Sequence, residues 1–106
     1  MSQIFELVAS GHRTFVVLAT LGLPGQPPRR FTKEEAVILS RALNSVVNGD
    51  RREQQIYMSP IASDHDFEAN VEQSGIVVSL ECHADVRLDW SETRALAEEL
   101  RAFASQ

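Results

Sequence analysis

The chain carries one cysteine, Cys82, in 106 residues. It can form no internal disulfide, and a reducing compartment fits best. No apolar run approaches the ~20 residues that a membrane-crossing helix needs. Met1-Ser2-Gln3 lacks the basic stretch and long apolar run of a secretory leader, so a cytoplasmic protein is expected. Lysine is nearly missing, since nine of the ten basic residues are arginine, a bias that accompanies GC-rich bacterial genomes. Charge of positive sign is in deficit. The net charge is −5, and phosphate would repel most of the surface, which argues against nucleic acid as a partner.

The signatures of catalysis and cofactor binding are also missing. No nucleophile, base and orienting group can be assembled from the spacing. Asp64-His65-Asp66 opens like a calcium loop but lacks the glycine and glutamate that complete one. Gly22 and Gly25 before a helix lack the Lys-Ser/Thr pair of a phosphate loop. No sequence repeat is evident. An enzyme is therefore not the favoured reading, and no cofactor is implied.

What is present is a long alternation. From Ile76 to Trp90 every even position is apolar, and the odd ones are mostly polar, Val77 excepted. A period of two signals β-structure with one buried face. Fifteen extended residues would reach about 50 Å at ~3.3 Å each. A domain of this length is roughly 33 Å across. The run must therefore bend or turn, and a three-residue loop or bulge at His83-Ala84-Asp85 would preserve its parity. Before Ile76 the apolar positions are odd: Phe67, Ala69 and Val71. A two-residue loop at Ser74-Gly75 switches parity in this way, and it would set Val71 opposite Val78, Ala69 opposite Leu80 and Phe67 opposite Cys82. Leu80 and Cys82 then belong to the core, with Cys82 inert.

Elsewhere the pattern predicts a short helix, or alternatively a strand, over residues 2–10. A strand buried on both faces follows over Arg13–Leu21. The Gly- and Pro-rich residues 22–30 read as a stiff connector. Thr32 and Glu35 form a capping box for a helix over about 32–47, stapled by Phe31 and ended at Asn48-Gly49. Gln54–Ser59 reads as a strand ended by Pro60. A second helix, capped by Asp89 or Ser91, covers about 90–104 with Leu96, Leu100 and Phe103 in its apolar stripe, and Trp90 packs at its entry. These elements predict a single α+β domain over 1–106. Its architecture is a two-layer sandwich, with a mostly antiparallel sheet of four to five strands against two amphipathic helices.

Two sets of residues are candidates for binding. The predicted register places Glu68 opposite Glu81 and Asp66 opposite His83, so three carboxylates and an imidazole could hold a divalent cation or carry acid–base chemistry. Arg29 and Arg30 precede a helix N-terminus, where backbone N–H groups favour anions. A small-ligand, anion or metal-binding protein, hydrolytic in one version, is thus the alternative reading. The leading one is a non-enzymatic interaction protein that binds itself, as a homodimer, or another protein through a sheet edge. Gln54–Ser59, with few charges, is the candidate edge.

Overall fold

The computed structural model describes residues 4–12 and 16–106. Among them, seven strands and two helices form an α+β sandwich of antiparallel sheet and helices. The strands divide between two sheets. The first joins β1 (Glu6–His12), β2 (Val16–Leu23) and β3 (Gln26–Phe31) in that order. The second joins β4 (Gln55–Met58), β5 (Phe67–Glu72), β6 (Gly75–Ser79) and β7 (Val86–Asp89), also in chain order. One core serves both. It contains Leu21 and Phe31 from the first sheet, Phe67, Ile76 and Val78 from the second, and residues of both helices.

The helices α1 (Lys33–Val47) and α2 (Trp90–Ala104) occupy the expected spans. Each starts at a complete capping box, Thr32 with Glu35 and Asp89 with Glu92. The side chain of each cap accepts from a backbone N–H of the first turn, and the glutamate accepts from the cap's own N–H. The helices pack on each other, with Ser40 donating to the Ala97 carbonyl at 2.8 Å in the buried seam. Arg51 donates to the Val46 carbonyl at the end of α1 and lies 4.9 Å above the Trp90 ring at the start of α2. Trp90 in turn donates to the Gln73 carbonyl.

Two stretches of the sequence are decided by pairing. Residues 6–12 are an edge strand, the second of the two alternatives for this stretch, because Glu6 to His12 pair along β2 from Gly22 to Val16. A short segment of ambiguous pattern takes whichever conformation satisfies a neighbour's hydrogen bonds. The connector at 22–30 is a hairpin instead. Pro24-Gly25, with Gly25 at φ +76°, makes a tight turn between Leu23 and Gln26. Pro27 and Pro28 then fit in β3 because they lie at a register shift between the Leu21–Arg29 and Leu23–Gln26 pairs, on an edge strand, where the ladder is interrupted. The strand expected over Arg13–Leu21 is central, as β2, from Val16 onward; Arg13 to Phe15 lie outside the described residues.

The parity switch between β5 and β6 is present, but the pairing differs by two residues. The turn is Gln73-Ser74, so Val71 faces Ile76, Ala69 faces Val78 and Glu68 faces Ser79. Gly75 explains the shift. It sits inside the ladder between Glu72 and Asp89, and a Cβ there would lie 1.9 Å from the Leu88 carbonyl oxygen. Glycine is required by that close approach and not by the turn. The alternating run does fold back, pairing Ile76 with Leu88 and Val78 with Val86. The reversal is longer than three residues, however, and spans the stretch between Ser79 and Val86. Leu80 is consequently only half-buried and Cys82 is exposed, at φ +66°.

Arg29 differs most from expectation. It is wholly enclosed, at 0% exposure, while Arg30, on the other face of the same strand, is exposed. Its Nε donates to the Asp66 carbonyl at 2.7 Å and its Nη2 to Gln26 Oε1 at 2.8 Å. Nη1 meets no acceptor among the described residues. The guanidinium lies 5.8 Å from the centre of the Phe67 ring. Gln26 continues the chain of contacts, donating to the carbonyls of Val78 (3.0 Å) and Ala84 (2.8 Å). The pair expected to receive an anion is split between core and solvent, because successive strand residues point to opposite faces. Arg29→Ala should cost about 3 kcal/mol in urea unfolding, since it leaves a cavity and two buried acceptors unpaired. Arg30→Ala should change stability by no more than about 0.5 kcal/mol. Equal effects of the two would contradict this division.

Candidate functional site

The loop between β4 and β5 and the loop between β6 and β7 face each other across an open cleft of about 440 Å³. Asp66, Glu68, Glu81 and His83 all line it, together with Tyr57, Asp64, His65 and Cys82. The four residues thus share one surface region, although the opposed pairs implied by the sequence do not form. Glu68 stands beside Ser79 in the ladder and is bonded by Gln55 Nε2 at 2.9 Å. Asp66 accepts from the Tyr57 hydroxyl at 2.5 Å, and His83 Nδ1 lies 2.8 Å from the Glu81 carbonyl.

Asp66, Glu68 and His83 are each engaged by a different neighbour. Among the described residues, no three His, Cys, Asp or Glu side chains converge as a metal ion would require. The cation centre expected from Asp66, Glu68, Glu81 and His83 is therefore not assembled. The two-residue shift of register carries Glu81 and His83 off the sheet and into the loop.

The Tyr57–Asp66 bond has an electrostatic signature. It holds the Asp66 carboxyl below the ordinary range, with Ser59 adding to the effect. The same bond raises the Tyr57 phenol, assisted by desolvation and the nearby negative charge. The stabilisation from Asp66 is present above its unfolded-state pKa and is lost as pH falls through its lowered folded pKa. Both groups lie at the surface, so solvent screens the interaction.

The sheet edges form a second candidate region. β3 is guarded by Pro27, Pro28 and the Arg29 contacts, and β7 is four residues long with Arg87 and Asp89. β4, the edge expected from sequence, is an edge of the four-stranded sheet but also has only four residues. β1 is longer, at seven residues, and Leu7-Val8-Ala9-Ser10-Gly11 carries no charge. Val8 is 49% exposed. Two grooves run beside this strand on the side of α2. One, about 670 Å³, lies along Phe5, Leu7 and Leu23; the other, about 210 Å³, lies between Leu7, Ala9, Ala102 and Phe103. The sequence does not single out this edge, because its pattern over residues 2–10 fits a helix as well as a strand. The uncharged five-residue stretch was the available signal.

Comparison with protein-family models, curated proteins and solved structures finds no match to this chain.

Two measurements follow from the cleft. Cys82 should react to completion with a thiol reagent in the native protein at the rate of an open thiol; protection until denaturant is added would place it in the core after all. Tyr57→Phe should raise the Asp66 carboxyl toward the ordinary carboxylate range in an NMR pH titration. An unchanged Asp66 would mean that the phenol does not hold it.

Proposed function

We propose that this protein is a non-enzymatic interaction module that takes up an extended segment of a protein partner along the outer edge of β1. The observation behind this reading is the combination found there. Among the described residues no strand pairs with that edge, its central five residues carry no charge, and a groove lined by Leu7, Ala9, Ala102 and Phe103, with Glu99 and Gln106, follows it beside α2. Backbone N–H and C=O groups along an open edge supply affinity, and alternate pockets supply specificity. β4 is the weaker candidate on the same logic, being shorter and bounded by Pro60. The acidic cleft has the titratable groups of a small-ligand site but no common centre on which they act.

The reading is tested by NMR with a synthetic peptide of nine residues, apolar at alternate positions, and a scrambled control. Amide shifts should concentrate at Leu7–Gly11 and at Ala102 and Phe103. Silence there, or shifts confined to Gln55–Met58, would reject β1 as the docking edge.

A further inference from the structure

The two halves of the chain repeat one topology that the sequence does not display. Counted back from each helix, β1-β2-β3-α1 and β5-β6-β7-α2 are both an antiparallel three-stranded meander running into a helix of 15 residues that starts at a capping box. In this correspondence β5 is the counterpart of β1. The outer edge of β5 is occupied: β4 lies along it, antiparallel, from Gln55–Asn70 to Met58–Phe67. β4 also packs against α1 and buries Ile56. The first half has no such strand among the described residues, yet α2 packs near β1 as α1 does near β4, with the groove between.

Resting on the reading that β1 accepts a strand, we infer that the strand it accepts is β1 of a second copy of this chain. The occupant must be antiparallel and apolar at alternate positions, so that its inward side chains pack on Leu7, Ala9, Ala102 and Phe103, and it must bring no acidic group beside Glu99, which lines the same groove with Gln106. β1 itself meets each condition. A two-fold axis at Ala9 sets Ala9 against Ala9, Val8 against Ser10 and Leu7 against Gly11. No like charges oppose one another over those residues. Residues directly opposed in an antiparallel pair share a face, so Leu7 of both copies points to the helical side. The two three-stranded sheets then join into one, and the exposed edge disappears.

Sedimentation velocity over a wide concentration range tests this on wild type, Ala9→Lys, Ala9→Glu and an equimolar mixture of the two variants. Wild type should dimerise. Each variant should weaken association by about tenfold or more, because the axis places two like charges side by side. The mixture should recover a heterodimer. Ala9 is exposed, so the fold should tolerate the charge, as circular dichroism would verify. Should either variant fail to fold, Val8→Lys on the solvent face serves in its place. A wild type monomeric at every concentration, or a dimer indifferent to these substitutions, overturns the inference. If the alternating peptide still shifts the β1 amides of a monomeric wild type, only the second copy is rejected. If neither event occurs, strand uptake at β1 falls as well.

Discussion

The junction of the two sheets depends on a guanidinium that has no contact with solvent. Removing an ion from water costs several kcal/mol even after relaxation. Arg29 is offset by two charge-assisted hydrogen bonds, to the Asp66 carbonyl and to Gln26, and by the face of Phe67. Such bonds contribute roughly 1.5–3 kcal/mol each, so the net contribution is small. Burial lowers the pKa of Arg29, but a guanidinium remains charged in a protein. The consequence is geometric. The hydrogen bonds that Gln26 and Arg29 do make fix β3 against the segments around Asp66, Val78 and Ala84, with Arg29 Nη1 left without an acceptor among the described residues. Phe31 and Phe67, edge to face at 6.3 Å, complete the same seam.

That seam also shapes the surface behind it. Asp66 and the loop after Ser79 border the acidic cleft, and both are held from below by the Arg29 and Gln26 contacts. The cleft is therefore well positioned structurally, yet Asp66, Glu68 and His83 each bond to a different neighbour. Grouping acidic residues on one surface does not make a ligand site unless their lone pairs converge. Edge geometry is a more specific feature of this molecule. Among the described residues, three of the four sheet edges are short or guarded by proline and charge, and β1 is neither.

Much of the fold was legible because its signals are local. Thr32 with Glu35 places the first helix start by hydrogen bonds spanning three residues, and the second is narrowed to Asp89 or Ser91, between which the Asp89–Glu92 box decides. Alternation at Phe67–Val71 and Ile76–Val78 assigns the buried face whatever the partner, since a two-residue slip leaves parity unchanged. For the same reason parity could not select between pairings two residues apart. Leu80 and Cys82 were read as core on the strength of a parity that continues beyond the end of the ladder.

The chain by itself determined the two capped helices, the buried face of Phe67–Val71 and Ile76–Val78, and the acidic, nearly lysine-free composition, because propensity, capping and periodicity act between residues close in sequence. Tertiary structure alone decided that residues 6–12 extend along β2, that Arg29 is enclosed, that Gly75 meets the Leu88 carbonyl, and that four candidate ligands share a cleft without sharing a centre. Those outcomes depend on hydrogen bonds and close approaches between segments tens of residues apart, for which a one-dimensional pattern holds no distance.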